Sequence, residues 1–120
     1  MSSNQQLGVL GEKTASSFLT SKGLTVIEKN FHTKYGEIDI IAKKENKYYF
    51  VEVKARIGDV KGKPYEAITT RKISHLKTAA ELYVLQKKIK EYKLSLQAIS
   101  IVFTQELQVE KLDYFENILL

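Results

Sequence analysis

The chain has 120 residues, 43% of them hydrophobic, and 19 basic against 14 acidic residues give a formal net charge of +5. That length supports one domain over residues 1–120, with a core that needs no staples. The absence of cysteine excludes disulfides, thiolate zinc sites and a cysteine nucleophile, and the mild positive charge permits nucleic acid as a partner without identifying it.

The first residues, Met1-Ser2-Ser3-Asn4-Gln5-Gln6, lack the charged and apolar regions of a signal peptide, and no apolar run is long enough to span a bilayer. A cytoplasmic protein is therefore expected, with no membrane partner. Residues 7–22 read as the first helix, with Leu7, Leu10, Phe18 and Leu19 near helical spacing and Gly23 as the stop. Gly8 and Gly11 weaken it by about 1 kcal/mol each against alanine, which is tolerable if they let the backbone approach a sheet. Glu12 shares the flank of the packed face. As a first-turn glutamate it would simply complement the helix dipole.

Residues 24–31 read as a strand, and residues 32–36 as the turn after it. Two more strands follow, Gly36-Glu37-Ile38-Asp39-Ile40-Ile41-Ala42 and Tyr49-Phe50-Val51-Glu52-Val53-Lys54-Ala55-Arg56. The short polar link between them predicts an antiparallel hairpin. Residues 57–65 hold two glycines, the only proline, Lys61, Lys63 and Tyr65, and read as a mobile loop. Residues 66–92 carry a helical apolar stripe, with Arg71, Lys72, His75 and Lys77 early and Lys87, Lys88, Lys90 and Lys93 late. Two further strands, over 94–103 and 107–115, close the chain. The expected fold is α/β in the order α-β-β-β-α-β-β, a mixed sheet flanked by helices. His32 and His75 lack a second histidine at ligand spacing and read as ordinary turn and helix residues.

The hairpin carries the chemistry. Asp39 interrupts one apolar strand and Glu52 the next. Glu52 and Lys54 alternate onto the same face, and Asp39 on the neighbouring strand can reach it. Buried charges cost several kcal/mol per ion unless paired or metal-bound, and two close carboxylates repel. Mg²⁺ or Mn²⁺, with its preference for oxygen ligands, removes both penalties, and a nearby lysine could orient a water. These are the parts of a metal-assisted phosphodiester hydrolysis site. The plainer alternative is an edge hairpin with both acids solvated and Glu52–Lys54 a surface pair. Glu37, two residues before Asp39, is an outer group or the wet start of its strand.

Asp39, twelve residues, then Glu52-x-Lys54 resembles the PD-(D/E)xK signature of the restriction-endonuclease-like nucleases, with Ile38-Asp39 in place of Pro-Asp. The longer string of Gly8-x-x-Gly11-Glu12, Asn30-Phe31, the Gly36–Ala42 strand and Phe50-Val51-Glu52-Val53-Lys54-x-Arg56 resembles the uncharacterised bacterial YraN-like family. That family is similar in fold to archaeal Holliday junction resolvases. The resemblance covers residues 8–80 and implies a restriction-endonuclease-like sheet and a Mg²⁺- or Mn²⁺-dependent nuclease acting on DNA, branched or structured DNA included. In that reading Asp39, Glu52 and the Val53 carbonyl hold the metal, Glu12 acts directly or through water, and Lys54 is the catalytic lysine. Arg56, Lys61, Lys63, Arg71 and Lys72 are the candidate DNA contacts. Many relatives carry an acid near the position of Gln97, so one outer contact is expected to be looser here. A non-catalytic nucleic-acid-binding module on the same fold is the alternative, and a homodimer is left open.

Overall fold

The computed structural model describes residues 3–58 and 69–118. Its elements are α1 (Ser3–Ser21), β1 (Thr25–Thr33), β2 (Gly36–Lys44), β3 (Lys47–Ile57), α2 (Thr70–Gln86), β4 (Lys93–Phe103) and β5 (Val109–Phe115). The strands form one five-stranded sheet in chain order. β3 and β4 run parallel, and the other neighbouring pairs run antiparallel. A parallel pair needs a long crossover, and α2 lies in it. The architecture is the mixed α/β sheet with two helices that the sequence pattern leads one to expect.

The helices cover opposite faces. Ala15 and Leu19 of α1 pack with Ile40, Ala42, Val51, Ile99, Ile101 and Phe103. Leu76, Ala79, Ala80, Tyr83 and Val84 of α2 pack with Ile38, Ile41, Tyr48, Phe50 and Leu96. Residues 95–103 of β4 are all buried, as a strand covered on both faces requires. Tyr83 anchors α2 through edge contacts with Phe31 and Phe50, at centroid distances of 5.1 and 5.7 Å.

Both helices end in the same device. Gly23 takes φ +90, and the Leu24 amide donates to the Leu19 carbonyl at 3.1 Å. At the end of α2, Lys88 takes φ +56, and Ile89 donates to Val84 at 3.1 Å. This left-handed cap stops α2 at Gln86, short of the residue 92 expected from the apolar stripe, and turns Ile89 back onto the core. At its other end Thr69 caps the helix, accepting the Lys72 amide at 3.2 Å. Residues 66–68 and most of the loop expected over 57–65 lie outside the described residues.

The β2–β3 hairpin is tighter than the sequence suggests. The strands run to Lys44 and from Lys47, leaving Glu45 and Asn46 as the turn, with Glu45 at φ +56. His32 lies in β1 rather than in a turn. Leu107, at φ +64, belongs to the turn before β5. Among the described residues no helix is long and apolar enough to cross a membrane.

Candidate functional site

Three places in the fold converge on Asp39. The first is a fault shared by two strands. Ile38 packs under α2, whereas Ile40 and Ala42 pack under α1. Residues two apart on a regular strand share a face, so β2 slips by one position at Asp39. The paired residues on β1 are Lys29 with Ile40 and Phe31 with Ile38. Between them Asn30 takes φ +52, a conformation that asparagine tolerates better than most residues. The two strands therefore slip together at Asn30 and Asp39, and the slip frees the Asp39 side chain from the apolar layers.

The second is the end of the β2–β3 ladder. Its last pair is Ile40 with Val51. Beyond it the Val53 amide donates to Asp39 Oδ2 at 2.7 Å. In an extended strand a residue's N–H and C=O project to the same edge, so the Val53 carbonyl lies on the Asp39 side too. The third is α1. A Cβ at Gly11 would stand 2.7 Å from Ala55 Cβ, so the bare glycine lets α1 lie against β3 and places Glu12 at the sheet. Gly8 makes no such approach, with nothing within 4 Å of the added atom. Because α1 starts at Ser3, Glu12 is a mid-helix residue, and the dipole role suited to a first turn does not apply.

The electrostatics follow from this crowding. Burial, then the charge of Glu52, pushes the Asp39 carboxyl from 3.8 up to about 7, against the lowering effect of the Val53 amide, with Glu12 and Glu37 adding to the rise. Burial raises Glu52 as well; Lys72 and then Lys54 oppose the rise, and Glu37 adds to it. Burial raises Glu12, partly offset by a hydrogen bond from the Asn30 side chain and by Lys29. Four acids thus act on one another across α1, β2 and β3, with Lys54 and Lys72 as the cations on Glu52.

Asp39 and Glu52 are half-buried and Lys54 is exposed. Among the described residues no three histidine or acidic side chains stand close enough to close a metal site alone. The available donor set is Asp39, Glu52 and the Val53 carbonyl, with Glu12 further out. Two carboxylates and a carbonyl, completed by water, are the hard oxygen donors that Mg²⁺ or Mn²⁺ takes. The donor chemistry therefore fits such an ion, and the raised acids have a charge conflict that a cation would relieve.

The remaining candidates separate. Lys72, half-buried in the first turn of α2, acts on Glu52 more strongly than Lys54 does, a role not visible from its place in a basic cluster. Arg71 is exposed beside it. Arg56 is half-buried, and its Nε has no hydrogen-bond partner among the described residues. Lys61 and Lys63 lie outside the described residues. Gln97 is buried in a separate network with Ser95 and Tyr114. His32 is exposed, its Nδ1 4.0 Å from Glu37 Oε2, and His75 lies near Gly36. The residue that sequence reasoning left without a role is Asn30. Its signals were a turn-favouring asparagine inside a strand and its place in the Asn30-Phe31 pair of the family string.

The family model described as "Uncharacterised protein family UPF0102" matches residues 11–104. Relatives, each described as a UPF0102 protein, include one from Syntrophomonas wolfei, 48% identical over 68% of this chain and 70% of its own length. One from Dictyoglomus turgidum is 36% identical over 95% of this chain and 97% of its own. One from Clostridium kluyveri is 40% identical over 83% and 82% respectively. The matched span runs from Gly11 through Asn30, Asp39, Glu52 and Lys54 to the end of β4, and the chain belongs to the uncharacterised protein family UPF0102.

Proposed function

We propose that this chain is a metal-dependent nuclease of the PD-(D/E)xK type that hydrolyses DNA phosphodiester bonds in a cytoplasmic setting. The observation that carries the reading is the convergence of Asp39 and Glu52 where the β2–β3 ladder opens, held by the 2.7 Å bond from the Val53 amide. Asp39, Glu52 and the Val53 carbonyl would hold Mg²⁺ or Mn²⁺, and Glu12 would act through an intervening water. When bound, the ion supplies Lewis-acid polarisation of the phosphate and acidifies water.

The chain's own residues do the rest. Asp39, fixed by Val53, keeps one oxygen aimed and the other free. Lys54, two residues beyond Glu52 on the same face, orients the attacking water and stabilises the charge that develops on the phosphate. Water adds to phosphorus as one P–O ester bond breaks, and the departing oxygen takes a proton. Lys72 carries the larger share of the charge balance on Glu52, with Lys54 the smaller. Arg56, Arg71 and the two loop lysines, Lys61 and Lys63, would meet the flanking phosphates.

The second reading is a nucleic-acid-binding module without chemistry. What favours it is that Asp39, pushed up to about 7, holds a proton for a substantial part of the time at neutral pH, which eases its conflict with Glu52 without a metal. The test is a cleavage screen over duplex, single-stranded, flap and four-way-junction DNA with Mg²⁺ and Mn²⁺, alongside binding in EDTA. Cleavage that requires metal supports the nuclease. Metal-independent binding with no cleavage on any substrate supports the module.

A further inference from the structure

At the other end of the sheet the chain builds a second polar site. The α1–β1 turn, the β2–β3 hairpin and the start of β4 meet there around a cavity of about 230 Å³. Its floor is a hydrogen-bonded relay inside an otherwise apolar layer. Tyr114 Oη donates to Gln97 Oε1 at 2.6 Å, Gln97 Nε2 donates to Ser95 Oγ at 3.3 Å, and Ser95 Oγ donates to the Glu116 carbonyl at 2.9 Å. Gln97 is 3% exposed and Ser95 5% exposed. On β4 they continue the row of Ile99, Ile101 and Phe103 that packs under α1. Buried polar groups in an apolar layer are costly unless satisfied, and here Tyr114, Gln97 and Ser95 satisfy one another and the Glu116 carbonyl beneath the cavity.

The chemistry left over faces one kind of ligand. The Gln97 amide has a second N–H to give. Around it stand Lys22, Lys44 and Lys47, with Glu116 as the one acid in the lining among the described residues. Two of these ammoniums are steered by rings, Lys22 over Phe18 at 5.4 Å and Lys47 over Tyr49 at 5.2 Å. Lys44 Nζ reaches back to the α1–β1 turn, 3.7 Å from where Gly23 would carry a Cβ. Three ammoniums around one cavity repel one another, and an anion relieves this as a cation relieves the acids at Asp39. Against a single carboxylate they leave the lining two positive charges in excess, the match of a dianion.

We propose that this cavity binds a phosphate-class dianion, as free phosphate or as the phosphate of a small ester. The cavity admits such a group with a few waters and lies on the α1 side of the sheet, about 10 Å along β3 from Glu52 at the usual strand rise. The site does not depend on the nuclease reading. Its test is a titration of the full ¹⁵N-labelled chain with inorganic phosphate at constant ionic strength, followed by amide shifts. A nucleoside monophosphate arm distinguishes the source: tighter binding of the ester, or equal binding of both, each supports the site and tells which form it takes. Saturating shifts at Ser95, Gln97 and Glu116 are expected, with sulfate competing and chloride not. Lys44→Ala/Lys47→Ala should weaken binding at least tenfold. Lys87→Ala/Lys90→Ala, at the end of α2, and Asp39→Asn should leave it unchanged. Shifts that grow linearly to tens of millimolar phosphate, or an equal loss in the Lys87→Ala/Lys90→Ala control, would overturn the proposal.

Discussion

The Val53 amide donates to Asp39 Oδ2 at 2.7 Å, with Asp39 one residue and Val53 two residues past the last β2–β3 pair, Ile40 with Val51. That bond holds a carboxylate in the gap between two strands, on the side where Glu52 also presents its charge. The amide alone does not settle the charge, because burial and Glu52 together still carry Asp39 up to about 7. The site is therefore strained in a specific and measurable way when no cation is supplied.

The first consequence is a pH dependence of stability in EDTA. The folded Asp39 carboxyl holds its proton more tightly than the unfolded chain does. Its stabilisation is full below the unfolded value of 3.8 and is lost as pH rises through about 7. Glu12 and Glu52, also raised, act in the same direction. Denaturant unfolding should find the metal-free protein less stable at pH 8 than at pH 5, by at most ~3 kcal/mol from Asp39. Asp39→Asn, which resembles the protonated acid, should flatten the profile. A wild-type profile that is flat or rises over this range would contradict the assignment.

Divalent cation should reverse that loss. At pH 8 and a tenfold excess over Kd, binding to the folded state adds about 1.4 kcal/mol and raises the melting temperature by roughly 5–10 °C. Asp39→Asn should fold and show no such rise. An equal rise in wild type and Asp39→Asn, or none in wild type with millimolar Mg²⁺ or Mn²⁺, would mean that the acids do not form a metal site.

The two glycines of α1 should part company. Gly11→Ala drives a methyl to 2.7 Å from Ala55 Cβ and should cost about 1–3 kcal/mol as α1 is pushed off β3. Gly8→Ala meets nothing within 4 Å and should stabilise the helix by up to about 1 kcal/mol. Thermal unfolding of the two variants compares them directly, and the same sign for both would refute the packing described here.

Asn30 is the fourth test. Asn30→Ala keeps a Cβ at φ +52 but loses the short polar side chain that makes this conformation tolerable, and should cost about 1 kcal/mol, whereas Asn30→Gly should be nearly neutral. Both remove the hydrogen bond to Glu12, so the Glu12 carboxyl, followed by NMR, should titrate still higher in either variant. An Asn30→Ala protein as stable as wild type would show that the strand slip at this position is not needed.

The order of elements, the hairpin and the alternation of Glu52 and Lys54 were legible because they follow from local periodicity. The stop of α1 was legible too, since Gly23 is the residue a left-handed cap prefers. The stop of α2 was not, because a lysine occupies the equivalent position at Lys88. The crowding of acids could be foreseen from Asp39 and Glu52, but its cause could not. The joint slip of β1 and β2 depends on which face Ile38 and Ile40 each find in the packed sheet. Likewise, the hold of Lys72 on Glu52 depends on where the crossover sets down the first turn of α2, and the gathering of three lysines at the far cavity depends on which turns meet at that end of the sheet.

The central claim is that Lys54 and the two acids beside it perform phosphodiester hydrolysis, and single-turnover cleavage with saturating protein tests it most directly. Wild type should cut labelled DNA in Mg²⁺ or Mn²⁺ and stop in EDTA. Lys54→Ala should lose about 10²–10⁴-fold in rate with affinity nearly unchanged, and Lys54→Arg should not fully restore it, because a planar fork does not replace a compact ammonium. As a mere surface partner of Glu52, Lys54 would be worth at most about 1 kcal/mol and neither change would matter. A wild-type rate in Lys54→Ala would contradict the account.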